Sequence, residues 1–213
     1  MSGAAVSVGV GPHPLPWPDD PRLDEALLAA GDRRNVVDRY RYWRTDAIIA
    51  DLATRRRPFH VAIENWQHDL NIGTVVRNAN AFLAEAVHIV GNRRWNRRGA
   101  MVTDRYVDIR HHTTVADLVA WARQMGLPLI GVDLLPGSRD ITAADLPERC
   151  VLLFGQEGPG LSAEAREAVD LVLHIPQGGS TRSINAGVAS GIAMFEWVRR
   201  YAADDAAGVG RSG

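Results

Sequence analysis

From Phe59 onward, short β-branched runs alternate with amphipathic helical ones, and that alternation constrains the fold more than any other feature of the chain. FHVAIEN reads as a strand, DLNIGTVVRNANAFL as the opening of a helix, AVHIVG as a strand, and VADLVAWARQMG as a helix with Val115, Leu118, Val119 and Ala122 on one face. PLIGVDL, CVLLFG and LVLHIP read as three buried strands, with the short helix SAEAREAV and the long helix SINAGVASGIAMFEWVRRYA between and after them. Strands joined through helices pair in parallel, so the pattern predicts an α/β fold, a parallel sheet covered by helices on both faces. Ligands of such sheets sit outside the carboxyl ends of the strands.

The 213 residues suffice for one full domain and an appendage. With 46% hydrophobic and 23% charged residues the composition is that of a soluble globular protein. Residues 1–19 and 202–213 read as disordered ends, 20–58 as a basic helical extension and 59–201 as the sheet domain. The extension is expected to hold three helices, in PRLDEALLAA, RNVVDRYRYWRT and DAIIADLATRRR, closed by Pro58. The start has no basic leader and reads as a frayed terminus rather than a signal peptide. No stretch approaches the roughly 18 apolar residues of a membrane span, so no membrane partner is expected. The one cysteine, Cys150, forms no internal disulfide, and a reducing cytoplasm is the expected compartment.

A net charge of -1 conceals an uneven distribution. Between Arg33 and Arg110 there are 15 Arg against 8 acidic residues, while the segments on either side each carry a net charge of -4. Every basic residue is Arg, which suits planar, bidentate phosphate recognition but also follows from a GC-rich coding sequence. The asymmetry permits a nucleic-acid partner without establishing one. The seven His show no metal-ligand spacing, so no metal is expected, and His111-His112 reads as a polar strand end.

Three segments stand where a strand gives way to a loop or helix. NIGTVVR, residues 71–77, opens a helix with Asn71 and carries Arg77. GQEGPGL, residues 155–161, is a tight turn whose backbone can approach a ligand closely. Alone it says little, because it lacks both the G-x-G-x-x-G spacing and the G-K-[ST] of a phosphate loop. IPQGGSTRSINAGVA, residues 175–189, runs from a strand through a polar loop into a helix whose start carries Ser183 and Asn185. In this order and spacing the three segments resemble the signature motifs of the SpoU (TrmH) branch of the SPOUT superfamily of RNA methyltransferases. Those motifs are Asn-x-Gly-x-x-x-Arg, Gly-x-Glu-x-x-Gly-Leu, and Ile-Pro-Met-x-Gly followed by Ser-Leu-Asn and a helix. The resemblance covers about residues 59 to 200. Gln177 departs from it where Met is common, and Ala186-Gly187 stand where Val-Ser often follows.

The resemblance implies a C-terminal trefoil knot at about residues 129–190, a homodimer that completes the active site, and S-adenosylmethionine as cofactor. By motif, Asp133, Leu134, Gly155, Ile175, Ser183 and Ile184 would contact the cofactor. The implied reaction is methyl transfer to a ribose 2′-hydroxyl in tRNA or rRNA, with Arg77, Asn71, Glu157, Ser183 and Asn185 as catalytic residues. Family accounts make the first-motif arginine the base, yet a guanidinium pKa above 12 leaves little neutral form, so Arg77 reads equally as a phosphate and alkoxide stabiliser. Arg93, Arg94, Arg97 and Arg98 of the NRRWNRR segment, with Arg55 and Arg56 of the extension, are candidate RNA contacts, and Trp95, Tyr40, Tyr42 and Trp43 could stack on unpaired bases. Half-buried anchors for the extension are the plainer reading of the last three. Two other functions compete. A non-catalytic RNA-binding protein on the same fold has no need of all five catalytic residues, and a Rossmann-type enzyme would carry a Gly-rich fingerprint after its first strand, which is absent.

Overall fold

The structure, a computed structural model, describes residues 9–67, 71–181 and 183–202. The chain divides into two compact units, Met1–Arg55 and Arg56–Gly213. In the first, helix α1 (Glu25–Ala30) starts where the Asp24 side chain accepts from the Ala26 and Leu27 amides, and helix α2 (Thr45–Ala53) buries Ile48. The middle helix expected over RNVVDRYRYWRT does not form; a single 3-10 turn, Asp38–Tyr40, stands there. The cause is Asp32. Its fully buried carboxylate accepts from the Arg34 amide and guanidinium and from the Tyr42 amide, which folds the segment into a loop around one charge. Burial raises the Asp32 pKa, but these donors outweigh it and hold the carboxyl at about 2. Residues 9–19 are also not a free end, since Val10 and Asp32 exchange backbone hydrogen bonds and the His13 amide donates to Leu28 O. Residues 1–8 and 203–213 lie outside the described residues.

The second unit is built on a sheet whose strands are β1 (Phe59–Asn65), β2 (Val87–Gly91), β3 (Ile109–His112), β4 (Leu129–Val132), β5 (Arg139–Asp140), β6 (Cys150–Phe154) and β7 (Leu171–His174). Their order is β3-β2-β1-β6-β4-β7-β5, and every pairing is parallel. The central strands β1, β2, β4 and β6 are buried at every position, as a sheet covered on both faces requires. Helices α3 (Asn71–Ala81) and α6 (Ala186–Tyr201) pack on one face, where Phe59, Val61, Ile63, Leu152 and Phe154 meet Val75, Met194 and Trp197. Helices α4 (Val115–Met125) and α5 (Ala163–Ala168) cover the other, over Ala62, Val90, Val151 and Leu153. A Thr114–Asp117 capping box and a left-handed Gly126 bound α4. The five strands read from the sequence are present, and two short edge strands, β3 and β5, complete the sheet.

On the α4 face three histidines from neighbouring strands form a chain beneath Trp121. His60 Nδ1 lies 3.1 Å from His88 Nε2, and His88 Nδ1 lies 2.8 Å from His112 Nε2. Burial, reinforced by Arg110, depresses the pKa of His60 to about 4. Burial and the flanking imidazoles push His88 to about 2. Both rings are therefore neutral when folded but protonated below about 6.5 when unfolded, so the folded state is favoured fully above that pH and progressively less below it. Each contributes a loss of about 1.4 kcal/mol per pH unit, ending near pH 4 for His60. Urea midpoints should hold steady down to about pH 6.5 and then drop steeply. A flat midpoint down to about pH 5 would show that the chain takes up protons without unfolding.

Candidate active site

The three motif segments meet at the carboxyl edge of the sheet. Asn71 opens α3, Glu157 lies in the turn after β6, and Asn185 is the N-cap of α6, its side chain accepting from the Val188 amide. Asn71 Nδ2 donates to Glu157 Oε2 at 2.8 Å, and Asn185 Nδ2 donates to Asn71 Oδ1 at 2.8 Å and to Glu157 Oε2 at 3.3 Å. The Ala186 amide adds a bond of 3.1 Å to the same carboxylate oxygen. A carboxylate at the first amides of α6 is also favoured by the positive end of the helix dipole.

Arg77 is not part of this cluster. It lies about a third of a turn round α3 from Asn71, exposed, and makes no hydrogen bond or ion pair among the described residues. Its neighbour Asn78, which the sequence did not single out, binds α3 to α6 through Gly187 O at 2.9 Å and Ser190 Oγ at 3.0 Å.

Gly155, Asp133, Leu134 and Ile175 follow the adjacent strands β6, β4 and β7, whose register sets Phe154, Val132 and Leu173 side by side. Asp133 accepts from the Leu134 amide at 2.8 Å and the Leu161 amide at 3.0 Å, fixing its loop to the end of the second motif. Leu134 is exposed, Ile175 and Ile184 are half-buried, and Ser183 is exposed just before the α6 cap. The buried side-chain oxygens of Gln156 and Gln177, in these same loops, have no hydrogen-bond partner among the described residues. The edge thus offers apolar walls with unused acceptors. Among the described residues no group of three or more His, Cys, Asp or Glu is placed to hold a metal ion.

Two further residues frame the edge from β1. The Glu64 carboxylate, fully buried, accepts from the Ser162 amide at 2.8 Å and the Trp66 indole at 2.9 Å. Asn65 Nδ2 donates to the carbonyls of Asn92 and Arg94 and so pins the arginine loop. That loop also rests on α3, because a Cβ on Gly73 would lie 2.7 Å from Gly99 Cα and from the Ala100 amide, a crossing only glycine permits. Arg93, Arg94, Arg97 and Arg98 are exposed along it, and Arg97 lies near Asp104 at 3.5 Å and over Trp95. Arg55 and Arg56 are placed differently. Arg55 binds Asp51 and the Tyr40 hydroxyl, and Arg56 donates to the carbonyls of Ala84, Glu85 and Tyr106. Tyr40 is buried and Tyr42 and Trp43 are half-buried, as anchors would be.

Residues 58–195 match the model of the SpoU rRNA methylase family. The chain is 29% identical over 158 residues to a tRNA (guanosine(18)-2′-O)-methyltransferase of Escherichia coli K12, covering 72% of this chain and 69% of the relative. It is 32% identical over 192 residues to an uncharacterized tRNA/rRNA methyltransferase of Mycolicibacterium vanbaalenii, covering 84% of this chain and 60% of that one. Among solved structures, an AdoMet-bound rRNA methyltransferase from Sinorhizobium meliloti superposes with a TM-score of 0.61 at 27% identity, over 72% of this chain and 60% of that one. The chain therefore spans about three fifths of the length of the last two.

Gly155 has no room for a side chain, since a Cβ there would lie 2.0 Å from Gly160 C. Gly155→Ala should therefore cost about 1–3 kcal/mol or more of stability in urea unfolding, by forcing the turn apart. An unchanged midpoint would mean that the turn yields freely.

Proposed function

The chain belongs to the SpoU rRNA methylase family, and on that premise we propose that it transfers the methyl group of S-adenosylmethionine to a ribose 2′-hydroxyl of tRNA or rRNA. The observation that carries the reading is the hydrogen-bonded cluster of Asn71, Glu157 and Asn185, drawn from three distant segments to the edge where a parallel sheet binds ligands. The neighbouring loops fit the cofactor. Leu134, Ile175 and Ile184 supply apolar walls for an adenine ring, the backbone around Asp133 and Gly155 supplies close approach, and Gln177 holds an unpartnered acceptor. Bound there, the cofactor supplies an electrophilic methyl on a sulfonium.

The chain's own residues align the attacking hydroxyl and stabilise its oxygen while the new O–C bond replaces the methyl's C–S bond and the hydroxyl proton passes to solvent water. Among the described residues Glu157 Oε2 is engaged by three donors, and it serves to fix Asn71 and Asn185. Ser183 and Asn185 stand where they can position the nucleotide. Arg77 acts on the adjacent phosphate and the developing alkoxide, as a positive charge rather than a base. It does so in a homodimer. Val188, Ile192 and Phe195 form an exposed apolar stripe on α6, with Phe195 56% exposed, a face that a second copy would cover. The exposed arginines of residues 92–98 take the RNA backbone.

The trefoil knot at about 129–190 belongs to this reading, supported by the insertion of β6 between β1 and β4 and the return of α6 to α3. So does work in the cytoplasm, where the buried Cys150 thiol, its pKa pushed up to about 12 by burial, stays reduced. No helix among the described residues is long and apolar enough to cross a membrane.

Isothermal titration with S-adenosylmethionine tests the reading first, and absence of binding at millimolar cofactor, with and without bulk RNA, overturns it. Arg77→Ala should abolish methyl transfer with cofactor affinity nearly unchanged; activity kept within about tenfold, roughly 1.4 kcal/mol of barrier, removes its assigned role. Phe195→Asp should convert a dimeric mass in light scattering to a monomeric one and abolish transfer. A monomeric parent at micromolar concentration would remove the dimer.

A further inference from the structure

We propose that the turn at Met101–Val102 is a nucleobase contact, an apolar tip on which an unpaired base of the RNA rests while the surrounding arginines hold its phosphates; this deepens the reading above and depends on it. Both residues have left-handed backbones, with φ of 48° at Met101 and 70° at Val102. Residues with a Cβ avoid that conformation, and β-branched valine most of all. Each nevertheless leaves 51% of its surface exposed. Strain of this kind persists only where the surroundings impose it, and it gathers at binding sites.

The surroundings do impose it. Ala100 and Thr103, on either side of the pair, are buried, and Thr103 Oγ1 donates to Ala100 O at 2.6 Å. The turn is pressed onto the first turn of α3 through Gly99 and Gly73. The tip is thus held against the start of α3, with two apolar side chains exposed.

Charge selects the occupant. Arg93, Arg94, Arg97, Arg98 and Arg105 are exposed around the tip, and the acid nearest in sequence, Asp104, already lies against Arg97 at 3.5 Å. A second copy meeting this patch about a twofold axis would set guanidinium against guanidinium. A single-stranded RNA meets both features at once, phosphates on the arginines and a base face on Met101 and Val102.

The test is the double variant Met101→Gly, Val102→Gly, chosen because glycine is at home at both backbone angles. Fluorescein-labelled bulk tRNA and a ribosomal RNA fragment are titrated across a range of salt, alongside thermal unfolding, S-adenosylmethionine titration and light scattering. We expect RNA affinity to fall at least about tenfold with the slope against salt unchanged, because an apolar contact releases no counterions. Thermal stability and cofactor affinity should be equal to or above the parent's. Affinity within twofold of the parent overturns the inference, as does a flattened salt slope, which would mean phosphate contact alone. Loss of dimeric mass in the variant also overturns it, assigning the tip to a second copy. A parent that binds neither cofactor nor RNA instead overturns the functional reading itself.

Discussion

The carboxylate of Glu157 ties together parts of the chain that sequence separates by 86 and 28 positions, through Asn71 and Asn185 respectively. Among the described residues each donor bound to it sits at the start of a helix, α3 or α6, and those two helices cover one face of the sheet. The contact thus sets the ends from which both helices run, and Asn78 and Ser190 fix their crossing further along. Placement of the site and packing of the core are consequently one problem. A carboxylate serves better than an amide, since it accepts from several donors without presenting one of its own to the helix amides.

Much of this was legible in the residues. Strand and helix alternation from Phe59 gave the sheet and its covered faces, and three of the residues singled out in the motif segments, Asn71, Glu157 and Asn185, meet at one edge. Of the edge strands, β3 was legible only at its end, His111-His112, and β5 not at all, because IRHH and the two-residue Arg139–Asp140 carry no run of buried side chains and exist only by pairing with neighbours. Nor was the reason for Gly73. Its demand comes from Gly99, which is distant in sequence, and no local pattern reports a backbone crossing.

Arginine was the hardest residue type to read. The excess between Arg33 and Arg110 permitted a nucleic-acid partner, yet the structure divides these arginines by the groups they bind. In the first unit Arg34 serves the buried Asp32, Arg39 and Arg55 share Asp51, and Arg41 donates to Arg34 O. In the second unit Arg56 satisfies three carbonyls, while the arginines of 92–98 stand exposed. Whether an arginine faces solvent depends on acids and carbonyls brought near it by folding, and composition cannot sort them.

The histidine chain has a consequence for how this sheet can change. Each shared hydrogen in the row from His60 to His112 fixes which nitrogen of the next ring must donate, so the tautomers of the three rings are coupled and switch only together. Replacing a single ring with an apolar side chain strands a buried nitrogen on its neighbour, whereas replacing all three with apolar residues of matching volume leaves nothing unsatisfied. Substitutions along the row are therefore strongly non-additive. A lineage leaving this arrangement would cross a valley, with single steps disfavoured and the complete exchange tolerated.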